Sequence, residues 1–147
     1  MKISDIEKIR IDIQSEGNSS LSLMISRIGE MMRQGNGNFP ANEYTACSDI
    51  DPNIFLQLIE DLDEEVFKHA AVYDHPDKSG QPITYSIAFQ DKDEKPLIYE
   101  FRFGTETPDT GELLPYFESF ISKAILLTQD WYELEEKEEN PDSSQTH

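Results

Sequence analysis

Two neighbouring segments, ITYSIAFQ at 83–90 and PLIYEFRF at 96–103, alternate apolar and polar side chains with a period of two. Such alternation is typical of β-strands that bury one face. If a short turn joins the segments, every apolar residue of the first opposes an apolar residue of the second, and Thr84 opposes Arg102 on the other face. The pattern predicts an antiparallel β-hairpin over about 82–104, whose apolar face another element must cover.

The segment after the hairpin can provide that cover. Apolar residues recur in it at helical spacing, and Pro115 is compatible with a helix only in the first turn. The stripe consists of Leu113, Phe117, Phe120, Ile121, Ala124, Leu127, Trp131 and Leu134. We therefore predict a long C-terminal helix packed on the hairpin. The sequence beyond it is acidic and polar, so residues 137–147 are expected to form a disordered tail.

The first third of the chain carries two competing signals. Ser4 to Glu7 has the spacing of a capping box and isoleucines follow at helical intervals, but KIRIDIQ at 8–14 also alternates as a strand would. We interpret residues 3–14 as a helix, and the strand stays open as the alternative. After the stop signal Gly17-Asn18, a second helix is predicted whose apolar face consists of Leu21, Met24, Ile25, Ile28 and Met32.

The middle of the chain begins with a connection over residues 35–50 that has no clear period. Such a connection is either a functional loop or contains an unrecognised short strand near EYTAC. Asp51-Pro52 is typical of a helix start. We predict an amphipathic helix over 51–72 with an acidic outer face and a buried stripe of Phe55, Leu58, Ile59, Leu62, Val66 and Ala70.

These elements together predict a single α+β domain over residues 1–136, with N-terminal helices, one amphipathic acidic helix, an antiparallel hairpin and a long C-terminal helix. A chain of 147 residues can bury such a core without disulfides or a structural metal. The single Cys47 cannot form an intramolecular disulfide, and no apolar run has the length of a membrane span. These features favour a cytoplasmic protein that does not bind membranes.

The net charge of −18, from 12 basic and 30 acidic residues, is concentrated in two blocks. Residues 51–77 contain eight acids and one base, and residues 105–147 contain eleven acids and two bases. A surface with this much negative charge repels nucleic acid and anionic lipid, and it raises the association rate with basic partners. The plainer interpretation is that the charge only keeps the protein soluble.

We interpret the chain as a small, non-catalytic protein-binding module of the inhibitor, immunity or chaperone type. It would engage a basic partner protein, in one version as a nucleic-acid mimic. The residues predicted to bind that partner are Glu60, Asp61, Asp63, Glu64 and Glu65 on the acidic helix and Tyr132 and Glu133 on the last helix. The alternative is a structural or assembly subunit that pairs with a copy of itself as a homodimer.

The string His75-Pro76-Asp77-Lys78 resembles the loop of J-domain cochaperones, which also follows an amphipathic helix. The resemblance implies a basic helix before the loop and another helix after it. Here the preceding segment is acidic, and residues 82–103 alternate as strands, so ordinary turn chemistry is the preferred interpretation. A cochaperone of this type is kept as a minor alternative function.

Residues suited to catalysis or metal binding form no recognisable motif. His69 and His75 lack the spacing of a helical metal pair, and the acidic surroundings of Cys47 disfavour a thiolate. The sequence has no glycine-rich phosphate loop and no nucleophile elbow. We therefore predict no enzyme activity, no cofactor and no metal. An enzyme with an unfamiliar site in the 35–50 connection near His69 is the other minor alternative.

Overall fold

A computed structural model describes residues 1–15, 18–35, 45–76, 79–80, 82–93 and 95–139. Within these ranges the chain forms seven strands and two α-helices, with short 3-10 helices at Ile3–Asp5 and Glu64–His69. The strands are β1 (Lys8–Ser15), β2 (Asn18–Ser26), β3 (Glu30–Gly35), β4 (Thr45–Asp49), β5 (Val72–Asp74), β6 (Ile83–Gln90) and β7 (Pro96–Phe103). The α-helices are α1 (Asn53–Ile59) and α2 (Leu113–Glu139).

All seven strands belong to one mixed sheet in the order β4-β3-β2-β1-β6-β7-β5. Neighbouring strands are antiparallel except for β5, which runs parallel to β7 at one edge. The first strand therefore lies in the middle of the sheet, between β2 and β6. The strand β4 forms the other edge.

The predicted hairpin is confirmed, with the predicted register. Phe89 pairs with Leu97, Ile87 with Tyr99, Tyr85 with Phe101, Ile83 with Phe103 and Thr84 with Arg102. The long C-terminal helix is present too, and Pro115 lies in its first turn. The hairpin is, however, only two strands of a larger sheet.

The predicted N-terminal helices are wrong, because residues 3–14 and the segment after them form β1, β2 and β3. The fold is strand-rich rather than an α+β domain with N-terminal helices beside a hairpin. The burial of β1 alternates strictly, with Ile9, Ile11 and Ile13 inside. β-branched residues with a period of two fit a half-buried strand, and pairing with β6 satisfies the backbone on that side. The capping-box spacing at Ser4 leads only into the short 3-10 helix at Ile3–Asp5.

The predicted acidic helix over 51–72 is also wrong in its length. It starts near Asp51-Pro52 as expected, but α1 ends at Ile59. Asp63 has an extended backbone, and its carboxylate accepts a hydrogen bond from the Glu65 backbone N–H at 3.0 Å. This local cap competes with continuation of the α-helix and starts the 3-10 helix at Glu64–His69 instead. The chain then becomes extended as β5.

Of the two alternatives for residues 35–50, a functional loop or a short strand near EYTAC, the structure shows a strand, β4, at Thr45–Asp49. Residues 36–44 lie outside the described residues. The helix α2 extends to Glu139, three residues into the predicted tail; residues 140–147 also lie outside the described part. In the part of the chain that the structure describes, no helix has both the length and the apolar character needed to cross a membrane.

The sheet has two unlike faces. Both α-helices and the 3-10 helix at Glu64–His69 contribute buried side chains to the core on one side, called here the covered face. The outward residues of the strands form the other side, called here the open face, on which no described element packs. The helix α2 crosses the covered face from β7, where Phe117 contacts Phe101, to β3, where Ile125 contacts Arg33.

Candidate functional site

A cleft of about 530 Å³ lies at the β5 edge of the covered face. It is enclosed by the 3-10 helix at Glu64–His69, by β5, and by the residues that lead into α2. We call it the acidic cleft, because its rim carries the carboxylates of Asp63, Asp109 and Glu112. Its walls are apolar and aromatic, formed by Val66, Tyr73, Leu113 and Tyr116.

Tyrosine hydroxyl groups fix the walls of the acidic cleft. The Tyr116 hydroxyl accepts a hydrogen bond from the Asp63 backbone N–H at 3.1 Å and donates to the Asp61 carbonyl at 3.3 Å, which ties the 61–63 turn to α2. The Tyr99 hydroxyl donates to the Val66 carbonyl and so ties the 3-10 helix to β7. The wall is therefore anchored to the sheet and to α2 rather than carried by a free loop.

Tyr73 forms the wall on the β5 side. Its ring stacks on Phe101, with centroids 5.1 Å apart and planes inclined by 12°. Its hydroxyl donates to the His69 carbonyl at the end of the 3-10 helix. The ring is thus held at both ends and presents an aromatic surface to the cleft.

The rim carboxylates remain in contact with solvent. Asp63, Asp109 and Glu112 are all exposed. The Thr110 hydroxyl accepts a hydrogen bond from the Leu114 backbone N–H at 3.3 Å, so Asp109 and Glu112 flank the capped beginning of α2. Negative charge is favourable at this end of a helix, which lets the rim hold several acids without destabilising the fold.

The electrostatic environment of the cleft is negative. Burial raises the pKa of the Tyr116 hydroxyl, and the Asp63 and Asp61 carboxylates raise it further, against an opposing contribution from the Asp63 backbone hydrogen bond. Burial likewise raises the pKa of Tyr99. The phenols therefore stay neutral near pH 7, and the charge of the cleft comes from its carboxylates. No lysine or arginine is among the described residues that line it.

All five acids predicted on the acidic helix are exposed, but they lie on the turn after α1 and on the 3-10 helix. Of these, Asp63 lines the acidic cleft. Asp61 pairs with Lys123 at 2.8 Å, and Glu65 pairs with Lys68 at 3.1 Å. Glu64 accepts a hydrogen bond from the Ile3 backbone N–H at 2.9 Å, while Glu60 is exposed at the end of α1.

The two residues predicted on the last helix lie elsewhere. Tyr132 is buried, with 1% of its surface exposed, and the Arg33 guanidinium lies 4.4 Å from its ring centroid, so this ring packs inside the protein rather than on its surface. Glu133 is exposed and accepts a hydrogen bond from the Gln129 amide. The helix rises about 26 Å between Tyr116 and Glu133, so the structure does not bring this pair to the acidic cleft.

Sequence reasoning missed most of the cleft. Asp109 and Glu112 belong to the second acidic block, but nothing local indicates that they face Asp63, which lies more than forty positions earlier. Tyr73 and Tyr116 were indistinguishable from ordinary core aromatics.

The residues weighed for catalysis are not brought together. Cys47 is exposed on β4, and His69 precedes β5, which is the opposite edge of the sheet. Six inter-strand spacings separate these edges, a distance of roughly 29 Å. Among the described residues, no group of three or more His, Cys, Asp or Glu side chains could hold a metal ion.

The string that resembles a J-domain loop lies at the sheet edge. The His75 backbone N–H donates to the Arg102 carbonyl at 2.9 Å, and its Nε2 lies 3.7 Å from Glu106. The strands β6 and β7 occupy the sequence in which the resemblance implies another helix. Asp77 and Lys78 of the string lie outside the described residues.

No protein-family model matches this chain, and no curated protein is significantly similar to it.

Proposed function

We propose that this chain is a small, acidic, non-catalytic protein-binding module of the inhibitor, immunity or chaperone type. It acts in the cytoplasm and engages a basic partner protein through the acidic cleft. One observation carries the proposal: a cleft of about 530 Å³ combines three exposed carboxylates at its rim with aromatic and apolar walls. That combination suits a cationic side chain with an apolar stem.

The first step of binding is electrostatic. The chain has a net charge of −18, and the rim acids Asp63, Asp109 and Glu112 belong to its two acidic blocks. Long-range attraction of this kind raises the association rate of a basic partner and weakens as salt is added. Bare nucleic acid and anionic lipid are repelled by the same field.

The second step is contact with the walls. A lysine or arginine that enters the cleft places its methylene groups against Val66 and Leu113, and its charge near the faces of Tyr73 and Tyr116. Aromatic anchors at the centre of an interface, surrounded by a polar or charged rim, often contribute much of the binding energy. The walls therefore set the lifetime of the complex, while the rim sets its rate of formation.

The partner's basic surface defines what the module does. A basic surface that normally contacts phosphates is blocked when carboxylates occupy it, which is the sense in which the chain acts as a nucleic-acid mimic. A basic segment that would otherwise aggregate or bind elsewhere is shielded in the same way. Both outcomes are stoichiometric and need no catalytic group.

The proposal is tested with a charge-reversed triple variant, Asp63→Lys, Asp109→Lys and Glu112→Lys. A basic protein is captured on the wild-type chain from the native host at low salt, purified, and its association rate with each variant measured by stopped flow. We expect the triple variant to slow association by at least about tenfold at low ionic strength, with a smaller difference at high salt.

The matched control is Glu30→Lys, Asp49→Lys and Asp93→Lys, which makes the same charge change with exposed residues outside the cleft. It makes the net charge less negative by the same amount as the cleft variant and should slow association much less. Equal slowing by both triple variants would show that total charge rather than the cleft governs encounter. Unchanged association in the cleft variant would refute the proposed site.

A further inference from the structure

The open face carries one continuous row of side chains across six strands. The registers place Cys47, Met32, Met24, Arg10, Ala88 and Ile98 next to one another in that order. All but Arg10 are apolar or weakly polar, and Ile98 is 45% exposed. A hollow of about 430 Å³ lies beside the Cys47 end of the row. An exposed, largely apolar row of this kind is typical of a surface that binds another protein.

The middle of the open face also differs from the rest of the molecule in charge. The outward residues of β1, β6 and β7 include three bases and two acids, in a chain whose net charge is −18. These charges are Lys8, Arg10, Arg102, Asp12 and Glu100. This is therefore a region on which two copies of the chain can meet without strong mutual repulsion.

Arg10 and Asp12 lie at the centre of the open face. They are neighbours on the outward side of β1, the strand in the middle of the sheet. Within the described part of the chain neither forms an ion pair, whereas Arg102 is paired with Glu100. One unpaired base and one unpaired acid thus stand side by side at the centre of an uncovered face.

We propose that two copies of the chain pack face to face through the open face, related by a two-fold axis that crosses β1 between Arg10 and Asp12. Because such an axis reverses the order of residues along β1, Arg10 of each copy faces Asp12 of the other. Stacked sheets lie about 10 Å apart, a distance that an arginine and an aspartate side chain together can span.

The same axis places no like charges opposite each other on the central strands. It sets Lys8 over Gln14 on β1, Met24 over Ser22 on β2, and Ala88 over Ser86 on β6. A second copy is therefore complementary to this face in charge. An acidic or basic foreign surface would leave either Arg10 or Asp12 facing its own sign.

The size of the face limits the strength of the dimer. Five inter-strand spacings and six residues along a strand give a plane of about 24 Å by 20 Å, or roughly 500 Å² per copy, which is below the ~800 Å² of a standard interface. We expect a weak dimer, with a Kd on the order of 10–100 µM. The acidic cleft lies on the covered face, so the dimer leaves it accessible.

The test is sedimentation equilibrium from about 5 µM to about 1 mM protein at physiological ionic strength. We expect the wild-type chain to convert from monomer to dimer over this range. Arg10→Asp and Asp12→Arg should each raise the Kd by at least about tenfold, because each sets like charges opposite one another. The double variant restores opposite pairs and should dimerise about as well as wild type.

Lys92→Asp, in the turn between β6 and β7, makes the same change in charge as Arg10→Asp and should leave the Kd unchanged. Circular dichroism of each variant checks the fold. If a reversal variant does not fold, Ala88→Arg offers a second way to disturb the region beside the axis. The proposal is overturned by a monomer over the whole range, by a dimer insensitive to both single reversals, or by a double variant that stays monomeric.

Discussion

The two halves of α2 are attached to the same sheet by different means. The half near Phe117 packs through aromatic rings, whereas the half near Thr128 is held by the guanidinium of Arg33. Phe117 and Thr128 are both fully buried. One amphipathic helix is therefore docked at one end by apolar area and at the other by polar contacts that an apolar sequence pattern does not reveal.

The aromatic half is built around Phe117. Its ring centroid lies 4.5 Å from that of Tyr99 and 6.1 to 6.3 Å from those of Phe101, Phe89 and Phe120. Edge-to-face and tilted contacts of this kind add to the burial of large rings. This half also supports the acidic cleft, because Tyr116 precedes Phe117 and Tyr99 reaches Val66.

The polar half is built around Arg33. Its Nη1 donates to the Ile125 carbonyl at 3.1 Å and to the Thr128 hydroxyl at 2.9 Å, and its Nη2 donates to the Gln129 side chain at 2.6 Å. Burial lowers the pKa of Arg33, and Tyr132 and Glu133 act in the opposite direction. The contacts compensate the cost of burying a cation and fix how α2 lies over β3.

The largest effect is expected from Phe117→Ala. Removal of the ring opens a cavity among its aromatic neighbours and should lower the free energy of unfolding by about 3–5 kcal/mol. Chemical denaturation monitored by circular dichroism measures it. Leu126→Ala, on the solvent side of α2 with 75% exposure, is the control and should change stability by less than about 0.5 kcal/mol. A similar loss in both variants would contradict the central place given to Phe117.

A somewhat smaller effect is expected from Arg33→Ala, about 3 kcal/mol, because it removes buried volume and leaves polar partners without a donor. Arg33→Met keeps much of the volume and should lose about half as much. Hydrogen exchange should rise around Thr128 in both variants and change little around Phe117. Equal exchange in both halves would mean that α2 docks as one unit and that the distinction between its ends is only geometric.

The aromatic half was predictable from sequence because its signals are local. The period of two in β6 and β7 and the helical period in α2 are each complete within one segment, so the register and the contact of the helix with the hairpin followed. The polar half was not predictable, since Arg33 in EMMRQG looks like any surface arginine. Its burial depends on Thr128 and Gln129, almost a hundred positions away.

The stripe on α2 shows the same limit in detail. Hydrophobicity alone placed Leu127 and Trp131 inside, but both are half-buried, while Thr128 and Tyr132 are buried. The helix faces Arg33 with the residues that can accept its hydrogen bonds or lie against its charge. The prediction for the N-terminal segment was wrong for a related reason. KIRIDIQ fits both the helical period and the strand period of two, and only the presence of β2 and β6 on either side decides between helix and strand.

At alkaline pH the contributions of the two halves to the free energy of unfolding should change in opposite directions. Burial, with smaller contributions from Tyr73 and Tyr116, raises the folded-state pKa of Tyr99 above the ordinary value of 10.0. Below pH 10.0 Tyr99 is protonated in both states, and its contribution to the free energy of unfolding is fully present. Above that pH the unfolded chain releases the proton first, so this contribution is lost as pH rises. Each such tyrosine contributes a slope of at most about 1.4 kcal/mol per pH unit.

For Arg33 the folded-state pKa is lowered from 12.5, so the unfolded chain holds its proton longer and stability rises with pH just below that value. Denaturation midpoints between about pH 9 and about pH 11.5 measure the tyrosine contribution, because the ordinary guanidinium pKa of 12.5 lies above this range. Tyr99→Phe should flatten the decline, whereas Arg33→Met should not. A decline that is equally steep in Tyr99→Phe and in wild type would show that the buried phenol is not its cause.

The smallest effect is expected at the middle of α2, where Lys123 donates to the Asp61 carboxylate at 2.8 Å and to the Gln57 carbonyl. The side chains of Lys123 and Asp61 are 31% and 75% exposed, so solvent and salt screen the pair. Lys123→Met should lower the free energy of unfolding by about 0.2–1 kcal/mol. Denaturation experiments at two salt concentrations measure the loss, and Asp61→Asn is the matched variant that removes the partner charge. A loss above about 2 kcal/mol would identify the middle of α2 as a third anchor, and the division of the helix into an aromatic and a polar half would have to be replaced by continuous attachment along its length.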